Sequence, residues 1–526
     1  MADRAQPKFV TPLVVLCLAA AGFFAVDFFD RSVWLDEANS VRIASQALSD
    51  MPAVLRTDGH PPLYYLFLAG WQALFGTGET AIRALSGVCY VAAVAAVFWG
   101  ARTLRYDRAS AALCAFFYLA SPIAVRQAQN ARMYSLLGLL VILSTVLFLR
   151  IFLQGERGVK HLAGYVGVNV AGTFTHYWFP FTVFAHAVAH TLVLRRPAPR
   201  RFWLALTASA VPFLLLWMPT FREQLASDVA AHIRRAGLLG LTDAVFDFYG
   251  RGMAVVVYTL CLAAVLRRRE GARLRLRPAS ELAAFVRGQP NPAFLAILLA
   301  SLLAPIVISQ VKPIYQVGRF TIIGLFPFVM LLGGALGRLC DRRLVVPLCY
   351  TILLGSVGVF VARRLALRAE ERVASDRATA AHLGARVDEN AVVIYVGLSR
   401  LGVEYYLDRQ GTRLRGVTFP AEIARHPGWA NVAGLLTDTL SLHREGEKLA
   451  RELGAGAVRE VWVLYDARLE SWSKVAGILI DELGVAFAVA ATQPLASRFH
   501  SEAVVLRRRR PGPLAAAGAW VYKEEP

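Results

Sequence analysis

Apolar runs of roughly 16–20 residues, each followed by a short polar stretch, set the pattern of the first two thirds of this chain. They fall at about 9–26, 81–101, 109–123, 133–153, 161–178, 180–195, 203–219, 252–266, 293–311, 320–337 and 344–362. Each is close to the length that crosses roughly 30 Å of hydrocarbon as a helix. The pattern therefore predicts a mainly α, polytopic membrane protein with about eleven transmembrane helices. For the first run, preceded by Arg4 and Lys8, a cleaved signal peptide ending near Ala19-Ala20-Ala21 is the rival reading. The run is long for a signal sequence, which favours a helix, and either reading brings the chain out on the outer face.

The connections between runs separate into two kinds. Even-numbered ones carry Arg102 to Arg108, Gln154 to His161, Arg195 to Arg201, Arg267 to Arg287 and Arg338 to Arg343. All are basic, which reads as cytoplasmic and places the N-terminus inside. Odd-numbered connections then face outward, as does everything after Val361. The domain expectation is thus a membrane domain over 1–362 with outward catalytic loops, and an extracytoplasmic domain over 363–526. In the latter, Ala391–Val396 and Val461–Tyr465 read as buried strands, and Ser399–Asp408 and Ser471–Leu483 as amphipathic helices. That alternation suggests a small α/β domain with a partly parallel sheet. It has neither a Gly-x-Gly-x-x-Gly nor a phosphate loop, and no catalytic role is assigned to it.

Composition sharpens the picture. The 526 residues are 56% hydrophobic, too apolar for a soluble protein of this size. A net charge of +20, from 57 basic and 37 acidic residues, could suggest nucleic acid. The basic residues sit in the short loops, however, so the positive-inside bias accounts for them and nucleic acid is not a partner. The six cysteines lie in or beside apolar runs with no Cys-x-x-Cys, so neither a disulfide framework nor a thiolate metal site is indicated.

The outward loops hold the candidate chemistry. The first, about 27–80, carries Asp36 and Glu37 within Ser32 to Ser40, then His60 in Asp58 to Tyr65. The second carries Arg126, Arg132 and Tyr134, the third His176 and Tyr177, and the fifth Lys312, Tyr315 and Arg319. Singly, each has a plain alternative: Asp36 and Glu37 as solvated loop charges, the arginines as lipid-headgroup anchors, His176 as an interfacial belt residue. Together they describe a carboxylate base and several cations at one membrane–water interface, where an anionic, lipid-borne substrate fits. A sugar on a polyprenyl phosphate meets that description. Its departing phosphate needs cations rather than a general acid, and the acceptor hydroxyl needs one carboxylate base. One displacement with one base inverts the sugar carbon. Since adjacent residues point in different directions, Asp36 and Glu37 should divide the work, one as base and one as a positioning or metal-holding group.

Trp34-Leu35-Asp36-Glu37, Gly59 to Tyr65, Glu79-Thr80-Ala81-Ile82-Arg83, Gln129 to Tyr134 and Thr175-His176-Tyr177 resemble motifs of the C-type (GT-C) integral-membrane glycosyltransferases. The nearest group is the bacterial relatives of protein O-mannosyltransferases and of the lipid A aminoarabinose transferase. The resemblance spans about residues 10–340. It implies a polyprenyl-phosphate-linked sugar donor, a site outside the cytoplasm in the bacterial inner membrane, and Asp36 as the base. The acceptor would be a glycan, lipid or protein hydroxyl. Some members carry Glu where Asn130 stands, which puts a second-loop carboxylate in doubt here. No cofactor is required; a divalent metal is possible, with Glu37, His60 and His176 as the available ligand types. His186 and His190, spaced i, i+4 within a run, read as packing or interhelical hydrogen bonds. The alternatives from other classes are a transporter or flippase of lipid-linked sugar, and a non-catalytic assembly partner. Gathering of polar groups on one face, without repeats or midplane charges, argues against transport.

Overall fold

The computed structural model describes residues 31–194, 200–226, 237, 239–270, 273–316, 318–373, 375–398, 400–425, 432–467, 469–495 and 501–509. The predicted first span, 9–26, lies outside them. The chain divides into two units, one of 36–369 with Arg31, the other of Ser32–Leu35 with residues from 370 onward.

The first unit is helical, and each of the ten other predicted spans contains a helix. Among the described residues its helices of seven or more residues are, in chain order, α1 (Leu35–Ala44), α2 (Leu63–Phe75), α3 (Glu79–Thr103), α4 (Arg108–Leu119), α5 (Pro122–Ala128), α6 (Tyr134–Phe148), α7 (Val159–Thr175), α8 (Phe179–Val188), α9 (Arg200–Leu216), α10 (Met218–Ala226), α11 (Gly240–Asp247), α12 (Arg251–Leu266), α13 (Ala279–Arg287), α14 (Asn291–Ile308), α15 (Ile322–Leu339) and α16 (Arg342–Val373). Among the described residues five helices are long and apolar enough to cross a membrane singly, and three bent pairs bring the number to eight. The chain is a multi-pass membrane protein. Two predicted spans fall short. Helix α7 has 17 residues, about 25 Å of helix, and 179–194 is a shorter apolar helix.

The bends have local causes and they shape the site. Helices α4 and α5 meet at 61°. Pro122 disfavours helical geometry in the residue before it, and Ser121 is extended (ψ 116°). The predicted straight span 109–123 is therefore broken, and the chain turns toward Arg126–Arg132. Helices α9 and α10 meet at 68°, and α11 meets the helix from Gly252 at 83°, the latter across Gly250 with φ +74°. At the start of α4, Asp107 accepts from the N–H groups of Ala109 and Ser110 (2.9 and 3.0 Å), an N-cap that fixes where the helix begins.

The basic stretch after α12 forms a short hairpin, β1 (Arg267–Glu270) with β2 (Arg273–Leu276), followed by α13. Inside the bundle His186 bonds Thr145 and Tyr165, each at 3.1 Å, and stacks on Phe148, the interhelical role its sequence context suggests.

Among the described residues the second unit is a five-stranded mixed sheet with helices. Its strands β3 (Ala391–Val396), β4 (Gly416–Thr418), β5 (Glu460–Asp466), β6 (Phe487–Pro494) and β7 (Ser501–Arg508) lie in the order β4-β3-β5-β7-β6. Strand β3 is parallel to β4 and β5, while β7 is antiparallel to β5 and β6. Val392, Ile394 and Val463 of the central strands pack with Trp472, Val475 and Leu479 of Glu470–Leu483. Burial on the sheet explains the continuous apolar runs of β3 and β5. Residues Ser32–Leu35 belong to this unit: the Val33 N–H donates to Tyr406 Oη at 2.7 Å.

Candidate functional site

Asp36 sits in the first turn of α1, where an acidic side chain complements the helix N-terminus. Its Oδ2 accepts from Arg319 Nη1 at 2.9 Å. Arg132, 3% exposed, spans the same helix turn: Nη1 donates to the Asp36 carbonyl and to Ser40 Oγ, both at 3.3 Å. Two guanidinium groups thus bracket the first turn of α1, one on the carboxylate and one on its backbone.

Behind Arg132 lies a polar chain. Its Nη2 reaches His60 Nε2 at 3.2 Å, and His60 Nδ1 lies 3.1 Å from Asp58 Oδ2. Asp58 also accepts from Tyr65 Oη (3.0 Å) and from Asn39 Nδ2 (3.1 Å). Burial and the Arg132 charge hold His60 below the usual histidine range, outweighing the pull of Asp58. The neutral ring then donates from Nδ1 to Asp58 and accepts at Nε2 from Arg132, so each link of Asp58–His60–Arg132 orients the next.

His176 follows α7. Its ring centroid is 5.5 Å from that of His60, 5.6 Å from Tyr134 and 5.1 Å from Phe320. Asp36, Arg319, Arg132, His60, His176 and Tyr134 therefore converge, drawn from four of the loops predicted to face outward.

The other candidates have different surroundings. Glu37 is fully buried. Arg83, near the start of α3, donates to it twice, Nε to Oε1 at 2.8 Å and Nη2 to Oε2 at 2.6 Å, and the Ala131 N–H adds a bond at 2.9 Å. Burial opposes its charge, but the Arg83 charge and hydrogen bonds, with Arg31 and Ala131, hold Glu37 below the usual carboxylate range. Arg83 Nη1 also donates to the Arg31 carbonyl at 2.6 Å. This is a structural clasp joining the first loop, α3 and the second loop.

Arg126 pairs with Asp247 at 3.3 Å, and Thr321 Oγ1 donates to the same carboxylate at 3.4 Å. The adjacent Gln127 donates to the Gly318 carbonyl at 3.0 Å. Gly318 has φ +86°, a conformation that favours glycine, and it immediately precedes Arg319. Arg126 and Gln127 thus brace the turn that presents Arg319. Lys312 Nζ donates to the Leu225 carbonyl at 2.8 Å. Tyr315 Oη donates to the Gly240 carbonyl at 3.2 Å. Tyr177 Oη donates to Gln224 and accepts from Trp217 Nε1 at 2.8 Å.

Sequence reading passed over Asp58, Ser40, Arg83, Gln127 and Asp247 as site residues. Arg83 and Asp58 lie inside the quoted motifs, and an arginine at the mouth of an apolar run was itself a signal. Nothing local in sequence ties Gln127 or Asp247 to residues 318–321.

As for metal, Glu37 has both oxygens on Arg83. Among the described residues no group of three or more His, Cys, Asp or Glu side chains is arranged to hold an ion. The described site residues therefore do not fit a divalent ion.

The chain matches no protein-family model and no curated protein sequence. Solved structures do resemble it. ArnT from Cupriavidus metallidurans bound to undecaprenyl phosphate aligns at 15% identity over 96% of this chain and 99% of that one, TM-score 0.62. Its apo form aligns at 14% identity over 94% and 97%, TM-score 0.58. The arabinofuranosyltransferase AftD from Mycobacteria aligns at 14% identity over 97% of this chain and 40% of that one, TM-score 0.52. The likeness extends past the sequence resemblance, which ends near residue 340. The fold of this chain is that of the C-type (GT-C) membrane glycosyltransferases.

Proposed function

We propose that the chain is an inverting glycosyltransferase of the bacterial inner membrane, moving one sugar from a polyprenyl-phosphate donor to an extracytoplasmic hydroxyl. The observation that carries the reading is the Asp36–Arg319 pair at 2.9 Å, with Arg132 on the same helix turn. It puts one guanidinium on the carboxylate and a second on the backbone of the same turn at the start of a helix. The donor's phosphate competes with Asp36 for Arg319, since a guanidinium grips phosphate through paired N–H donors. Asp36, released, takes the proton of the acceptor hydroxyl. The acceptor oxygen attacks the anomeric carbon, the carbon–phosphate oxygen bond breaks, and the electron pair leaves with the lipid phosphate. Arg319 and Arg132 neutralise the charge that grows on it. Glu37 acts as a positioning group, holding α1 through Arg83. The ArnT structure, whose ligand is undecaprenyl phosphate, supports the choice of donor class. Turnover of undecaprenyl-phosphate-linked sugars in proteoliposomes, with acceptors on the extracytoplasmic side, tests the reading. Sugar release or transfer that depends on Asp36 is expected. Movement of the intact lipid-linked sugar across the bilayer, without cleavage, would replace it with transport.

A further inference from the structure

His176 carries a hydrogen-bond donor that the fold leaves unused. Its Nδ1 accepts the backbone N–H of Trp178 at 3.0 Å, and a nitrogen that accepts carries no proton. The proton of the neutral ring therefore sits on Nε2. His176 is 3% exposed, and Nε2 has no hydrogen-bond partner among the described residues. Buried donors in native proteins are nearly always satisfied, and an exception calls for a cause. Tyr134 and Phe320 flank the ring, and Phe320 stacks on Trp178 with centroids 4.6 Å apart. A neutral donor among aromatic faces suits the uncharged, hydroxyl-bearing part of a ligand, whereas Arg132 and Arg319 suit its phosphate.

We propose that the Nε2–H of His176 donates to a hydroxyl oxygen of the donor's sugar, making His176 a determinant of which sugar the site accepts. This rests on the lipid-linked donor proposed above. A site built to bond one hydroxyl discriminates strongly against a sugar lacking it, because the buried donor is then left unpaired.

The test measures affinities of the protein in nanodiscs for undecaprenyl phosphate and for undecaprenyl phosphate bearing glucose, mannose, galactose or arabinose. Wild type, His176→Asn and His176→Gln are compared. Asparagine retains an acceptor near the Nδ1 position for the Trp178 N–H but cannot reach as far as Nε2. Glutamine reaches that far with an amide N–H. In wild type at least one sugar should increase affinity over the bare lipid. His176→Asn should keep bare-lipid affinity and lose about tenfold of the sugar's gain, as for one hydrogen bond left unmade, and His176→Gln should recover part. Equal losses for bare and sugar-bearing lipid in His176→Asn would overturn the inference, as would an unchanged sugar gain. Monodeoxy analogues of the tightest sugar, tested on wild type, give an arm independent of variant folding: one position must lose about tenfold, and no such position overturns the inference. Wild type that binds bare lipid but gains from no sugar overturns it alone. Wild type that binds none of these lipids overturns the proposed function itself.

Discussion

Asp36 and Arg319, 283 residues apart in the chain, meet through a single 2.9 Å charge-assisted hydrogen bond. The contact joins the stretch before α2 to the one before α15, so carboxylate and guanidinium are set together only in the folded bundle. Replacing Asp36 with asparagine removes the proposed proton acceptor while keeping size and the first turn of α1. Turnover should fall on the order of 10²–10⁴-fold, with donor binding retained. Purified variant in proteoliposomes, assayed for transfer and for lipid-donor affinity, checks this. Turnover at the wild-type rate would remove Asp36 from the role.

Arg319→Lys keeps the charge but not the paired donors, so transfer should slow more than donor affinity falls, because charge on the phosphate grows as the bond breaks. Lys312, whose Nζ rests on the Leu225 carbonyl, serves as comparison. If Lys312 also grips the donor phosphate, Lys312→Ala lowers both affinity and turnover. If it anchors lipid headgroups, membrane insertion changes and kinetics do not.

The Glu37–Arg83 clasp predicts a different signature. Breaking a buried ion pair by removing one partner costs about 3–5 kcal/mol, because the other charge is left uncompensated. Glu37→Gln should therefore reduce folded yield and unfolding temperature in detergent, well before any effect on donor affinity can be read. A Glu37→Gln protein of wild-type stability but without turnover would make Glu37 a direct participant in the chemistry.

These contrasts show which parts of the site were legible in the sequence. The apolar runs announced the helices because a lipid-facing helix must be apolar along its whole length, and the outward loops gathered Asp36, His60, Arg132, His176 and Arg319. The separation of Asp36 from Glu37 was only a direction argument until Arg83 and the Ala131 N–H appeared beside Glu37. Distant pairings such as Gln127 with Gly318 have no local signature, since the α4–α5 bend creates them. Strands β6 and β7 also escaped notice: β6 is mostly exposed, and its apolar run Phe487–Ala491 is mostly alanine, a residue depleted in strands.

Orientation follows from charge alone. Basic even-numbered connections predict that the C-terminal region lies outside the cytoplasm. A C-terminal alkaline phosphatase fusion should be active; an inactive one, paired with an active cytoplasmic reporter at the same point, would reverse the orientation.

The histidines predict how stability responds to acid. His60 and His176 both sit below the ordinary value of 6.5 in the folded protein. Above that value both folded and unfolded chains hold neutral rings, and these groups impose no penalty. As pH falls below it, the unfolded chain binds protons that the folded site resists, so stability is lost progressively. Glu37 acts lower down. Its folded value lies below 4.5, so its stabilisation is complete above 4.5 and fades only as pH drops through that lower folded value. The window between about pH 5 and 7 therefore isolates the histidines. Unfolding temperature of the detergent-solubilised protein should decline across it, and His60→Asn combined with His176→Asn should flatten the decline. The double variant loses the Arg132 contact and is less stable at neutral pH, so the informative quantity is the slope with pH rather than the absolute temperature. An unchanged slope would mean that the rings take up protons in the folded site as readily as in the unfolded chain, and that Arg132 does not rely on a neutral His60 for its orientation.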